Sequence, residues 1–160
     1  MHEQAPRMTP RPRRAPAQAG EPGAPSRQAV RAAQRRLRLQ GAQADPLAVV
    51  QVHVDAVRTR DPALMAADYT PEARIRRGLA LEIPLLYFAR AVQRLGSSQL
   101  QVHALELAQP HWERGDGGLQ VLMRWELLGG PAHGTRGLDT FTVLNDRIVD
   151  QHVQLHTPDY

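Results

Sequence analysis

The sequence contains no cysteine and no lysine, and only seven of its residues are aromatic. Without cysteine, the chain has no disulfide framework, no thiolate nucleophile and no cysteine-ligated zinc site. Without lysine, it has neither a Schiff-base amine nor the lysine of a P-loop. No apolar run approaches the roughly 18 residues that a membrane span requires. We therefore expect a cytoplasmic protein with no membrane span.

The positive charge of the chain is concentrated at its N-terminal end. The 160 residues carry a net charge of +4, and nine of the twenty arginines lie in residues 1–44, where the acidic residues are Glu3 and Glu21. The remaining residues hold eleven arginines and fourteen acidic side chains. Such a basic segment can contact nucleic acid or an anionic surface weakly, through charge alone.

The same segment is poor in large apolar residues, which predicts a boundary between tail and domain. Residues 1–26 are rich in proline, alanine, glycine and arginine, a composition that favours disorder. Residues 28–39 favour a marginal helix, because Val30, Leu37 and Leu39 form a poor apolar stripe. We predict a disordered tail over residues 1–44 that adds little buried area, and one domain over residues 45–160.

Helices dominate the first half of this predicted domain. Asp45-Pro46 and Asp61-Pro62 each combine a capping carboxylate with a proline in the first turn, which is typical of a helix start. A third helix is predicted from Pro84 to a stop at Gly96. The first of these helices carries an apolar stripe at spacings of three and four residues, formed by Leu47, Val50, Val54 and Val57.

Strands dominate the second half. A short strand is predicted at residues 73–76, and four longer strands at residues 100–108, 119–128, 134–144 and 147–156, separated by glycine-rich or Asn-Asp turns. Helices followed by a meander of antiparallel strands indicate an α+β fold in which one sheet face receives the helices.

Three stretches resemble the nuclear transport factor 2-like superfamily, which includes SnoaL-like polyketide cyclases and ketosteroid isomerase. They are residues 49–61 (VVQVHVDAVRTRD), 66–73 (AADYTPEA) and 137–148 (GLDTFTVLNDRI). The resemblance covers about residues 45–156. It implies a cone-shaped, cystatin-like α+β fold with three N-terminal helices packed on a curved, mostly antiparallel sheet. This fold supports enzymes, ligand binders and scaffolds, so it does not imply an activity.

Strand alternation identifies a candidate acid. If the odd-numbered residues of the last three strands face the helices, Asp139 is a lone carboxylate among apolar side chains. Burial disfavours the charged form, so the pKa of Asp139 should rise. A protonated aspartate can donate a hydrogen bond to a developing oxyanion.

The resemblance implies roles for three positions. Asp139 is similar in position to the cavity aspartate of ketosteroid isomerase, and His53 to its hydrogen-bonding tyrosine. Where that enzyme has its general-base carboxylate, this chain has Arg77. We take Asp139 and His53 as candidate catalytic residues.

Two functions remain open at this point. The first is binding of a small hydrophobic molecule, with or without acid/base isomerase or cyclase chemistry, by a pocket that includes Val121, Met123, Trp125, Phe141, Gln151, Val153 and Leu155. The second is a non-catalytic dimeric interaction module with a basic tail. In both we expect a homodimer through the polar, even-numbered sheet face, no cofactor, and no metal, because the histidines lack a metal-binding spacing.

Overall fold

The computed structural model describes residues 23–108 and 118–156, which form helices followed by strands. The α-helices of this part are α1 (Arg27–Gln40), α2 (Pro46–Arg58), α3 (Pro62–Ala66) and α4 (Pro84–Leu95), with a 3-10 helix at Gly41–Gln43. The strands are β1 (Tyr69–Arg77), β2 (Ala80–Glu82), β3 (Gln99–Leu107), β4 (Leu119–Leu128), β5 (Arg136–Leu144) and β6 (Arg147–His156). No helix among these residues is long and apolar enough to cross a membrane.

The predicted helix starts at Asp45 and Asp61 are confirmed. The Asp45 carboxylate accepts a hydrogen bond from the Leu47 amide at 3.0 Å. The Asp61 carboxylate accepts from the Ala63 and Leu64 amides. Each aspartate thereby satisfies amides that have no partner within the helix, and the proline that follows lacks such an amide.

The domain boundary predicted at residue 45 is wrong, because helix α1 is part of the packed structure. Val30 and Leu37 on α1 are buried and belong to the hydrophobic core. The helix is capped by Ser26, whose hydroxyl accepts a hydrogen bond from the Ala29 amide. Its apolar stripe is narrow, but the buried Gln34 adds polar contacts that a hydrophobic pattern does not reveal. Of the predicted disordered tail, residues 1–22 lie outside the described residues.

The sheet confirms the predicted α+β class. Its six strands lie in the order β2-β1-β6-β5-β4-β3, and every neighbouring pair is antiparallel except β1 with β6. The predicted bounds of β4 and β6 agree with the structure, whereas the three-residue strand β2 was not predicted. The predicted turn before β4 lies almost entirely outside the described residues.

Register shifts bend the sheet around the helices. They occur in β1 between Tyr69 and Arg74, in β3 between Val102 and Ala104, and where β5 meets β6. Such irregularities increase strand twist and curvature. The concave face packs on helices α2 and α4, and this packing forms the walls of the cavities described next.

Candidate functional site

Two cavities lie between α4 and the concave face of the sheet. The inner cavity has a volume of about 100 Å³, and His53, Asp139 and Gln151 contribute polar groups to its otherwise apolar wall. The outer cavity has a volume of about 430 Å³. Both are lined by Tyr87, Ala91, Leu95, Trp125 and Leu127. The two cavities are therefore neighbours, and Tyr87 and Trp125 stand between them.

The structure places the residues proposed for the pocket in three positions. Met123, Phe141 and Gln151 line the inner cavity, Trp125 lines both cavities, and Leu155 lines the outer one. Val121 and Val153 line neither cavity and are fully buried in the core. Their assignment to the pocket was wrong because strand alternation gives the face on which a side chain lies but not its depth in the cone.

Asp139 accepts a hydrogen bond on each of its carboxylate oxygens. The Trp125 indole Nε1 donates to Oδ1 at 2.9 Å, and the Gln151 amide Nε2 donates to Oδ2 at 2.6 Å. Burial raises the pKa of Asp139 to about 6, and the two hydrogen bonds and the nearby His53 act in the opposite direction. The group can therefore bind or release a proton near neutral pH.

The position of Trp125 depends on a glycine in the neighbouring strand. Trp125 of β4 is paired with Gly137 of β5. A Cβ atom at residue 137 would lie 2.2 Å from Cζ2 of the indole. The ring therefore lies directly over the glycine backbone, and from there its Nε1 reaches Asp139, two residues along the same strand.

His53 lies inside the core. Its ring is 2% exposed and packs against the rings of Tyr69, Phe88 and Phe141, with centroids 5.1 to 5.8 Å away. Its Nδ1 lies 3.2 Å from Oδ2 of the buried Asp68. A buried carboxylate needs such a partner, because it has lost its water.

Tyr69 links His53 to Asp139. Its hydroxyl lies 3.3 Å from His53 Nε2 and donates a short hydrogen bond to the Gln151 carbonyl oxygen. Burial, followed by the charges of Asp139 and Asp68, raises the pKa of the Tyr69 phenol, which therefore stays protonated at neutral pH. We call the connected side chains Asp68, His53, Tyr69, Gln151 and Asp139 the polar chain.

Helix α1 and strand β6 hold one end of the polar chain. Gln34 Nε2 donates to Asp68 Oδ1 at 2.7 Å and to the Leu64 carbonyl at 3.0 Å. Arg147 Nη1 donates to the carbonyls of Ala67 and Tyr69, on either side of Asp68. The start of β1 is thereby fixed, together with Asp68, which precedes the strand, and Tyr69, its first residue.

Sequence reasoning missed Asp68, Tyr69 and Gln34. Asp68 and Tyr69 lie inside the stretch AADYTPEA that carries the resemblance. Two adjacent polar residues at the start of the first strand could therefore have been chosen as candidate site residues. Gln34 gave no signal, because it lies in a segment predicted to be a tail.

The polar chain fixes the orientation of the Gln151 amide. Its carbonyl oxygen accepts from Tyr69, so its nitrogen is the atom that donates to Asp139. A glutamine side chain donates only through its nitrogen and accepts only through its oxygen, and this orientation therefore favours the ionised form of Asp139. The hydrogen bonds of Tyr69 and His53 are thereby coupled to the carboxyl group at the cavity.

Arg77 lies at the other cavity. It lines the outer cavity together with Glu82, Arg90 and Arg94. Tyr87 stands between these charges and Asp139: burial and Asp139 raise the pKa of its phenol, and Arg77 and Arg94 act in the opposite direction. In residues 23–108 and 118–156, no three histidine or acidic side chains are grouped so as to hold a metal ion.

No protein-family model matches the chain, and no curated protein is similar to it in sequence. Solved structures are similar to it in fold. A protein from Kribbella flavida DSM 17836 aligns with a TM-score of 0.55 and 10% identity over 69% of this chain and 85% of its own. An NTF-2 like protein from Burkholderia xenovorans LB400 aligns with a TM-score of 0.52 and 9% identity over 81% of this chain and 88% of its own.

A third similar structure is a protein with a cystatin-like fold from Methylobium petroleophilum PM1. It aligns with a TM-score of 0.50 and 14% identity over 81% of this chain and 80% of its own. At such identities the likeness concerns the fold alone. Together with the helix order and the six-stranded sheet, it shows that this chain has an α+β fold like that of the NTF2-like and cystatin-like structures.

Proposed function

We propose that the protein binds a small hydrophobic molecule in the two cavities and that Asp139 exchanges a proton with it. The observation that carries the proposal is a buried carboxyl group in the wall of an apolar cavity, with a pKa raised to about 6. The outer cavity alone, at about 430 Å³, falls in the range of roughly 300–1,000 Å³ that small-molecule sites occupy. Within one pH unit of its pKa, Asp139 supplies both a proton donor and a proton acceptor.

The polar chain supports this role for Asp139. Gln151 donates a hydrogen bond to its carboxyl group, and Tyr69, next to His53, holds Gln151 in that orientation. In this proposal Asp139 is the catalytic residue, whereas His53, Tyr69 and Gln151 act through it as positioning residues. The chemistry is an isomerisation or cyclisation in which a proton is removed beside a carbonyl and returned elsewhere.

The proton transfer can be tested without knowledge of the natural substrate. We expect the protein to catalyse exchange of the α-hydrogens of 2-tetralone, an apolar bicyclic ketone, for deuterium in D₂O, as measured by NMR. The exchange rate should rise as the pH passes 6, because the ionised form of Asp139 is the base. Asp139→Asn should lower the rate by about 100-fold or more, the usual contribution of general acid/base catalysis.

The matched control is Asp150→Asn, because Asp150 also lies on a strand but pairs with Arg76 at the surface. It should leave the exchange rate unchanged. Exchange no faster than the uncatalysed background, or an Asp139→Asn variant as active as the wild type, would contradict the catalytic proposal.

A dimeric interaction module is the second candidate, and the small volume of the inner cavity favours it. Met123, Phe88 and Phe141 line this cavity and are buried. The opposite face of the sheet carries Leu138 and Thr140, which are half-buried although no described helix covers them. We propose that this face joins two copies of the chain.

For this dimer we expect light scattering to give twice the mass of one chain at tens of micromolar protein. Leu138→Arg, which places a charge in the proposed interface, should give a monomer, because an unpaired charge buried between subunits is unfavourable. Arg90→Gln, on helix α4 at the opposite side of the sheet, is the control. A wild-type protein that is strictly monomeric would rule out the interface.

The weak contact with nucleic acid or an anionic surface also stays a proposal. Arg31, Arg35 and Arg38 of helix α1 line a shallow depression, which supports it. A steep loss of affinity with rising salt would be its signature.

A further inference from the structure

The outer cavity carries more positive charge than its own side chains neutralise. Four charged residues line it: Arg77, Glu82, Arg90 and Arg94. Glu82 is paired with Arg90, with 2.6 Å between Oε2 and Nη2. Among residues 23–108 and 118–156, neither Arg77 nor Arg94 forms an ion pair. The cavity therefore presents two uncompensated guanidinium groups to whatever occupies it.

These two groups converge from separate elements. Arg77 is the last residue of β1, and Arg94 lies in the last turn of α4. Both line the outer cavity beside Tyr87, and both lower the pKa of its phenol. Asp139 acts on the same phenol from the inner cavity. The two cavities together therefore have a cationic end at Arg77 and Arg94 and an acid, Asp139, at the other end. The aromatic side chains Tyr87 and Trp125 lie between the two ends.

The wall between the two ends is apolar. Trp125, Leu127 and Leu155 line the outer cavity beside the arginines. Arg77 and Arg94 are exposed, so they are the part of the cavity lining that faces solvent. Arginine also binds carboxylates and other oxyanions through paired hydrogen bonds. A neutral hydrophobic ligand would leave this part of the cavity unused.

We propose that the ligand is amphipathic: an apolar ring system that extends toward Asp139 and an anionic group bound by Arg77 and Arg94 at the mouth. This inference rests on the proposed function, because it specifies the class of molecule that the same cavities bind. In this arrangement Arg77 selects the ligand by its charge, and Asp139 is the acid that faces the ligand's other end.

Two fluorescent probes of the same shape separate the anion from the apolar body. One is 8-anilinonaphthalene-1-sulfonate, and the other is N-phenyl-1-naphthylamine, which lacks only the sulfonate. We expect both probes to bind the full-length protein. The double variant Arg77→Gln/Arg94→Gln should weaken binding of the sulfonate about tenfold, as expected when charge-assisted hydrogen bonds are lost. It should change binding of the neutral probe less than about twofold, because the apolar wall is intact.

The control is Arg27→Gln/Arg58→Gln, which removes two arginines that pair with Asp61 and Asp55 and line neither cavity, and it should alter binding of neither probe. If the neutral probe binds but the mouth variant leaves the sulfonate unaffected, the anion inference is overturned while the proposed function stands. A mouth variant that weakens both probes equally overturns it as well. If neither probe binds the wild type, the proposed function fails and the inference fails with it.

Discussion

Deletion of residues 1–44 is expected to remove most of the free energy of unfolding of the domain. Helix α1 buries Val30 and Leu37 in the core, and each such side chain contributes about 1.5–3 kcal/mol. The deletion also removes Gln34, which donates to Asp68, and the loss of a partner for a buried polar group costs about 1–3 kcal/mol. The expected total, on the order of 5 kcal/mol, is comparable to the whole stability of many domains.

Two neighbouring leucines of α1 provide a matched test of this packing. Leu37 is 8% exposed and Leu39 is 89% exposed. Leu37→Ala should lower the free energy of unfolding by about 2–4 kcal/mol, whereas Leu39→Ala should change it by less than about 0.5 kcal/mol. Urea denaturation of both variants measures the difference. Equal effects, or a deletion of residues 1–44 that shifts the melting temperature by less than about 2 °C, would mean that α1 contributes no stability.

The free energy of unfolding is expected to fall as the pH rises through the range in which Asp139 ionises. Its pKa is raised from 3.8 to about 6 in the folded chain, so between these values the folded state holds a proton that the unfolded state has released. Stability from this group is present below pH 4 and is lost as the pH rises to 6. A shift of about two pKa units corresponds to roughly 3 kcal/mol.

The effect of this one residue is isolated by comparison with Asp139→Asn. The wild-type free energy of unfolding minus that of the variant should decrease by roughly 3 kcal/mol between pH 4 and pH 7, since other titrating groups cancel in the difference. Urea titrations at several pH values provide the measurement. Asp55→Asn, at a half-exposed carboxylate beside Arg58, gives the contribution of a surface pair. If the free energy of unfolding of the wild type minus that of Asp139→Asn stays constant or rises with pH, burial does not control the ionisation of Asp139.

The sequence predicted the parts of this fold that depend on local rules. Asp-Pro pairs begin α2 and α3, and residue alternation placed Asp139, Phe141 and Gln151 on the helix-facing side of the sheet. Each of these predictions needs only a few neighbouring residues. Local patterns therefore give the class of the fold and the face on which a candidate acid lies.

What the sequence could not predict depends on contacts between distant residues. Gln34 is bound to Asp68, which is 34 positions away, and Tyr69 to Gln151, 82 positions away. The packing of α1 depends on such contacts, as does the depth of Val121 in the core. Buried hydrogen bonds of this kind produce no periodic pattern in the sequence, because a single polar side chain is enough to form each of them.

The indole that lies over Gly137 has a consequence for how the pocket can be redesigned or can evolve. Gly137 lines neither cavity, yet a methyl group there would collide with the Trp125 ring. Residues 125 and 137 must therefore change together: any side chain at 137 requires a smaller ring or none at 125. Changes at 137 would enlarge or reshape the passage between the cavities only in a background that has already lost the indole. A substitution at residue 125 must therefore come before one at residue 137, and this order limits the ligands that the pocket can evolve to bind.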